Sequence, residues 1–572
     1  MEAEAEAAVI KIESRTSRKV VAAKMAETIK TTDYKKFVIN GKEVPFSTLD
    51  RCLPNDKVVY ASGKWSMVVR GKQPPLVGIL DCLNKTRYGF TAKNVPIYLF
   101  HPMNKAYPPF RVGSTIDPTQ NYLSVIQYET WELGQSMPRG SLVQTLGPVG
   151  DFEAEASALY WLYSPWTGYT KKTSEFKPSE IDVTDRVEIR SDRGWQTFNV
   201  DPDGCLDIDD CFSYLWDEYG QTVQCAITIA DVAEIIDEGS PVDLIARKAG
   251  QSLYQDGKKP RHMLPATIAE DYASLSAGDL RPGITLFFDY DKQTNFIDNI
   301  HFKETLITNQ KQYTYESVKE THHTDLLKML YKKLTPTSNS ATEEDDPHNW
   351  IAALMIFYNT EFAYYINHTS GGLLRAHKEA DLQKQQMLEA IDPDLKFLAM
   401  SSAVYIPATA KETRHHGLNT DVYTHASSPL RRYADLHNQR IFKELYYSTH
   451  NRPEDPELLE TLNQKAKDAK KYERDYGFLQ AIFETNSKVI SGKVIGLKQK
   501  NMIVRIEMWI PAWKRILKIS LDGNLVSDTA AEVLSRDEKS AHTILLAQSL
   551  ELAFSYDSTK CHWKERMIFR II

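Results

Sequence analysis

Residues 201–210 read DPDGCLDIDD and gather Asp201, Asp203, Asp207, Asp209 and Asp210 around a glycine turn, directly before the apolar run CFSYLW. Carboxylates held close together raise each other's pKa unless a hard divalent cation neutralises them. Mg²⁺ suits such a loop, and Mn²⁺ is the other ion these ligands accept. Mg²⁺ takes one or two carboxylates, keeps several waters, and shares its remaining positions with phosphate oxygens. The chemistry indicated is metal-assisted work at a phosphate. An EF-hand is excluded, because that loop needs glycine sixth and glutamate twelfth, whereas here Gly204 is fourth and Phe212 twelfth. The plainer alternative is a solvated acidic turn.

A second constellation lies in residues 423–440, YTHASSPLRRYADLHNQR. Ser428 as N-cap and Pro429 at the first helical position predict a helix start, with Leu430, Tyr433, Ala434 and Ile441 forming its inward stripe. Arg431 and Arg432 then fall in the first turn, where the helix dipole disfavours cations. A phosphate on the helix amides and guanidinium groups resolves that conflict; a surface arginine pair is the alternative. Lys85, Arg87, Tyr88 and Phe90 interleave basic and aromatic side chains. A strand would put Arg87 on one face and Tyr88 and Phe90 on the other, an arrangement that stacks bases of a single strand or else places two rings in a core. In KKYERDYGF, the run Glu473, Arg474 and Asp475 reads by itself as a solvated helix face.

These residues need rigid elements beneath them. Cys211, Ser213 and Leu215 alternate with Phe212, Tyr214 and Trp216; turn residues follow, and 223–231 is a second β-rich run, so the aspartates stand at the mouth of a hairpin. At 572 residues the chain exceeds one hydrophobic core. The expected organisation is α+β and multidomain: a tail or helix over 1–35, a cold-shock or OB-type region over 36–166, a mixed α/β catalytic domain over 167–487, and an OB-type barrel over 488–572. OB-type β-barrels thus flank the catalytic domain. The tract SNSATEEDDPHN at 338–349 reads as a solvated loop. A net charge of −7 excludes nucleic-acid binding by bulk charge and leaves it to local basic surface. The six cysteines form no CxxC pair and predict reduced thiols without zinc. No apolar run reaches membrane-spanning length and no secretory leader is read, so the expectation is a protein without membrane contact, cytoplasmic, with the nucleus as the other residence the sequence allows.

In their order along the chain, VDPDGCLDIDD, ITIADVAEIIDEGSPVD, SLYQDGKKPRHMLP, RHHGLNTDVYTHASSPLRRYADL and ERDYG, with PRGSLVQTLGPVGDFEAE before them, resemble the RNase II/RNase R (RNB) family of 3′→5′ exoribonucleases. The resemblance covers most of 36–572 and is greatest to the exosome catalytic-subunit branch, without room at the N-terminus for that branch's endonuclease domain. It implies an RNB catalytic domain in which Asp201, Asp207, Asp209 and Asp210, but not Asp203, hold catalytic Mg²⁺. It places Arg431 on the scissile phosphate, Tyr254 near the RNA 3′ end, Tyr315 on a nucleotide and Glu473 on the RNA end. It implies single-stranded RNA as substrate, a monomer, and protein partners of an RNA-decay complex. The chain departs from the family where a glutamate pair usually precedes a Phe-Met step: it reads Ile351, Ala352, Ala353, Leu354, Met355. It also lacks the usual Gly-Ala-Leu step before that helix. The expected reaction is two-metal hydrolysis of RNA to nucleoside 5′-monophosphates. The alternatives are an RNA-binding pseudoenzyme of the same fold and a nuclease acting on single-stranded DNA.

Overall fold

The computed structural model describes residues 27–34, 36–39, 41–45, 49–61, 63–84, 88–164, 183–255, 258–335, 341–485, 488–534, 541–557, 560 and 563–572. Most of the expected tail, Lys85, Arg87, most of the connector between 167 and 185, and the first residues of the acidic tract lie outside these. The chain divides into two compact units, one of Met1–Thr167 with Lys471–Ile572 and the other of Gly168–Lys470.

The first unit begins with two small sheets over residues 27–69, built on a core of Ile29, Phe37, Ile39, Cys52 and Val58. A closed five-stranded barrel follows: β1 (Leu76–Asp81), β2 (Ile97–Pro102), β3 (Phe110–Gly113), β4 (Tyr122–Thr130) and β5 (Arg139–Pro148), in the order β3-β5-β4-β1-β2. Leu80, Phe100, Phe110, Val112 and Ile126 fill it. Helix α1 (Phe152–Tyr163) comes next, its first turn capped by the Asp151 carboxylate accepting from the Ala154 N–H. The region expected as one OB-type piece is therefore two β assemblies, because its apolar residues separate into two clusters. The C-terminal strands, from Val489–Lys500 to Met567–Ile571, form a seven-stranded antiparallel sheet. Unlike the first barrel, its end strands are not paired with one another among the described residues, and register shifts at Val494/Gly496 and Leu525/Ser527 bend it.

The second unit is organised by one sheet of β6 (Val187–Ile189), β7 (Gln196–Val200), β8 (Asp210–Trp216), β9 (Thr222–Ala230), β10 (Leu280–Asp291), β11 (Phe296–Thr308) and β12 (Lys311–Tyr313). Its order is β6-β11-β10-β9-β8-β7-β12. Strand alternation sends Phe212, Tyr214, Ile227, Ile229, Leu286 and Phe288 to one face. There they pack on helices α3 (Thr324–Leu334) and α4 (Pro347–Ile366), with Leu327, Leu330, Tyr358 and Phe362 against them. The other face carries Cys211, Ala226, Ala230 and Phe287 and meets Val242 and Ala246 of α2 (Pro241–Ala249) and Tyr433 and Leu436 of α5 (Tyr433–Tyr446). The expected hairpin is present, with Asp210 opposite Ile229 and Trp216 opposite Val223. The acidic tract is not a loop beyond Ala341: Ala341–Glu344 is a helical turn, and Asp346 caps α4 by accepting from the His348 N–H, with Pro347 at its first position. Capping chemistry at Asp346 decided what the acidic composition concealed.

Candidate active site

Strands β7 and β8 are antiparallel neighbours with Phe198 opposite Phe212, so residues 201–209 connect two paired strands and Asp210 opens the second. Both ends of the acidic loop are thereby fixed. The Asp201 N–H donates to the Tyr313 carbonyl at 3.0 Å, and the Cys205 N–H donates to the Pro202 carbonyl at 3.1 Å. That turn needs Gly204, whose φ is +76°. The middle is stitched by Ile208 N–H to Ser274 Oγ at 3.1 Å and by Leu275 N–H to the Ile208 carbonyl at 3.0 Å. The Ala230 N–H closes on the Asp209 carbonyl at 2.9 Å.

Each carboxylate of the expected tetrad has its own environment. Asp201 accepts from Asn199 Nδ2 at 2.7 Å, and Asn199 is held in turn by Asn309 at 2.8 Å. Asp207 accepts from the Tyr254 hydroxyl. Asp209 accepts the Leu430 N–H on Oδ1 and Arg431 Nε on Oδ2, both at 2.9 Å. Burial pushes Asp209 up to about 7 despite the opposing pull of Arg431. Burial, then the charges of Asp201 and Asp209, pushes Asp210 well above the carboxylate range. Asp201 is also raised, by burial, with relief from Asn199 and Arg431. Asp203 is exposed. Asp201, Asp209 and Asp210, held against ionisation beside Asp207, fit a divalent cation that would hold them charged.

A different acidic group is tighter. The carboxylate oxygens of Asp231, Glu234 and Glu304 lie within 4.8 Å of one another. Lys443 Nζ already bonds all three, at 2.9, 2.7 and 2.6 Å, and Arg186 joins Asp231 and Glu234 at 3.1 and 3.0 Å. These acids therefore form a buried ion-pair network centred on a lysine, and a metal would have to displace it.

The arginines stand before α5, not inside it. The helix begins at Tyr433 with Arg432 as its cap residue, and Ser428 through Arg431 form a preceding turn, with Arg432 N–H to the Ser428 carbonyl at 2.9 Å. The expected start at Ser428 and Pro429 is corrected for a visible reason. Buried Asp435 takes the Ser428 N–H at 2.8 Å and both Nε and Nη2 of Arg432, at 2.9 and 2.7 Å, and so holds the segment open. Asp435 is also the acid that the helix's first turn prefers. Arg432 is thus spent on Asp435. Arg431 bonds Asp209 and the Ser428 hydroxyl, yet its side chain stays 47% exposed.

Tyr254 has an exposed ring and a hydroxyl committed to Asp207. Tyr315 stacks on His348 at 3.7 Å, and its hydroxyl is raised to about 12 by burial and then by Asp201 and Asp210, which places it within their field. His262 and Glu270, which the sequence reading passed over, are bonded at 2.7 Å beside Asp207. Asn199, Asn309 and Ser274 were also passed over; each buries its side chain next to the loop, through contacts that only the fold creates. Glu473 is exposed on the helix α6 (Pro456–Glu484), in the part counted with the first unit. Tyr88 and Phe90, also of the first unit, lie in the connection between β1 and β2 rather than on a strand; Tyr88 is half-buried and Phe90 exposed.

Family profiles match the RNB domain at residues 189–329 and 323–448, and the Dis3-like cold-shock domain 2 at 97–164. The 3′-5′ exoribonuclease HELZ2 of Homo sapiens is 27% identical over 36% of the chain and 7% of that protein. The exosome complex exonuclease RRP44 homolog A of Arabidopsis thaliana is 25% identical over 60% of the chain and 45% of that protein. Ribonuclease R of Chlamydia trachomatis is 24% identical over 45% of the chain and 47% of that protein. The chain spans less than half the length of each of these relatives. Mycoplasma genitalium RNase R, solved with ribose-methylated single-stranded RNA, superposes with a TM-score of 0.69 at 15% identity, over 96% of this chain and all of that one. Yeast Ssd1, a pseudonuclease, gives 0.58 at 16% identity, over 89% of this chain and 80% of that one. The chain thus carries an RNB domain over 189–448 and a Dis3-like cold-shock domain 2 over 97–164, resembles the RNase II/RNase R (RNB) family in sequence, and shares the fold of RNase R.

Proposed function

We propose that this chain hydrolyses single-stranded RNA from the 3′ end and releases nucleoside 5′-monophosphates. The observation that carries this reading is one pinned loop presenting Asp201, Asp207, Asp209 and Asp210 beside the half-exposed guanidinium of Arg431. Those four aspartates would hold Mg²⁺, or Mn²⁺, which when bound supplies an acidified water and charge stabilisation at the phosphate. Arg431 presents its open edge to the phosphate oxygens, and Asp209 sets its angle. Arg432 acts as a positioning residue, fixing the turn that carries Arg431. Tyr254 and Tyr315 offer rings to the terminal nucleotides; in the first unit, Glu473 is a further RNA contact and the rings of Tyr88 and exposed Phe90 stack bases.

The test is a time course on a 5′-labelled RNA with a 3′ overhang, with and without EDTA. Progressive shortening that stops in EDTA, and that Asp210→Asn slows by about 100-fold or more, supports the proposal; several kcal/mol of charge stabilisation correspond to that loss. Undiminished shortening by Asp210→Asn contradicts it. A second reading, an RNA-binding pseudoenzyme, draws on the fold shared with Ssd1. The Ala353 departure does not favour it, since Ala353 lies on the buried face of α4, packed into the core. RNA bound yet left full length in Mg²⁺ would select that reading, and equal digestion of matched DNA would select a single-stranded DNA nuclease. In the active reading the protein is a cytoplasmic monomer that meets other members of an RNA-decay complex, as the names of the exosome exonuclease relatives suggest.

A further inference from the structure

We propose that His262 supplies a nitrogen ligand to the ion held at Asp207, so that this site takes Mn²⁺ ahead of Mg²⁺; the inference rests on the metal-site reading above. His262 is 6% exposed, and its Nε2 lies 2.7 Å from Glu270 Oε1. Its Nδ1 is buried, has no hydrogen-bond partner among the described residues, and stands 4.0 Å from Asp207 Oδ2. A buried polar nitrogen left without a partner is costly, and in a native site it calls for an occupant. A carboxylate can only accept, so Glu270 takes the Nε2 proton, and with that tautomer Nδ1 offers a lone pair 4.0 Å from Asp207 Oδ2. This is the arrangement of metal-binding histidines, whose other ring N–H is almost always donated to a carboxylate or carbonyl. The gap is too long for a shared proton, which needs about 2.7–3.2 Å. It leaves room for an ion that His262 Nδ1 and Asp207 would hold together.

Two further features fit. Glu270 sits on a π-helical turn, Ile268–Tyr272, in which the Ala273 N–H reaches the Ile268 carbonyl at 2.9 Å; such turns recur at functional sites. The Tyr254 hydroxyl donates to the same Asp207 Oδ2, and its ring meets that of His262 edge-on at 6.4 Å. The oxygen facing His262 is therefore capped by a group that an ion can displace. An imidazole among carboxylates favours first-row transition ions, whereas Mg²⁺ prefers oxygen alone.

The test is electron spin-echo modulation spectroscopy of the full chain loaded with MnCl₂, on normal and ¹⁵N-histidine protein, with Mn²⁺ and Mg²⁺ affinities measured by calorimetry. Nitrogen modulation that follows the label and disappears in His262→Asn, while Mn²⁺ still binds, supports the proposal. Bound Mn²⁺ without nitrogen modulation overturns it, as does modulation that survives in His262→Asn, and both leave the metal-site reading standing. Failure of Mn²⁺ to bind at all overturns both. Glu270→Gln leaves the buried ring in place and provides an independent arm. Mn²⁺ affinity weaker by about 10-fold with Mg²⁺ nearly unchanged supports the assignment; equal loss for both ions, or none, overturns it.

Discussion

At Asp209 two interactions that favour ionisation, the Arg431 guanidinium and the Leu430 N–H, are outweighed by burial, which holds the group up to about 7. In the unfolded chain it titrates near 3.9. Between those values the metal-free folded state keeps a proton that the unfolded state releases, so the folded state binds more protons. Stability then falls as pH rises through this window and is retained below it. A shift of that size corresponds to something on the order of 4 kcal/mol for Asp209 alone, and raised Asp210 and Asp201 act in the same direction. A divalent ion must displace these protons at low pH and meets fewer of them as pH rises. The melting-temperature difference between Mg²⁺-loaded and EDTA-treated protein should therefore grow from pH 5.5 to pH 8, and scanning calorimetry reads it. A difference that is constant with pH would show that the ion does not compete with these protons. Asp209→Asn should flatten much of the trend.

The turn that carries Arg431 depends on Asp435. Its side chain is fully buried and serves Arg432 through two bonds and the Ser428 N–H through a third. Asp435→Asn removes the counter-charge of a half-buried guanidinium and should cost about 3 kcal/mol. Denaturant midpoints will report that loss. Arg431 loses its seat with the turn, so turnover should fall even where the protein remains folded; unchanged turnover would show that Arg431 is positioned by Asp209 alone. The same residues show what the sequence could and could not reveal. The hairpin of β8 and β9 was legible because its alternate side chains seal two different cores, and period-two apolarity is a local signal. Ser428 and Pro429 are correct helix-start residues, but Asp435 and the pairing of Gln251 with Arg432 override them, and the latter contact spans remote segments. Strand β7, with the sequence QTFNV, lacks a clean alternation and is fixed by partners from β8 and β12. The four aspartates could be read from their crowding. His262 could not, because PRHMLP looks like a loop until the fold brings Glu270 and Asp207 to either side of its ring.

Under the proposed function, a chain of net charge −7 attracts RNA through local cations and aromatic rings, not through bulk charge. The two contributions separate by their response to salt. Each phosphate contact to a single strand adds about −0.7 to the slope of log K against log salt, whereas stacking adds almost nothing to it. Binding measured on Asp210→Asn, so that RNA stays intact, should therefore respond differently to two further changes. Arg431→Gln should reduce the slope by about 0.7, since one phosphate contact is lost. Phe90→Ala should leave the slope alone and weaken affinity by about 1–3 kcal/mol, because a ring that is 62% exposed on the OB-type barrel has no packing role to lose. Fluorescence anisotropy between 50 and 200 mM salt distinguishes these outcomes. If Phe90→Ala left affinity untouched, the barrel's exposed aromatic would be surface only, and the RNA path would have to be sought among the basic residues instead.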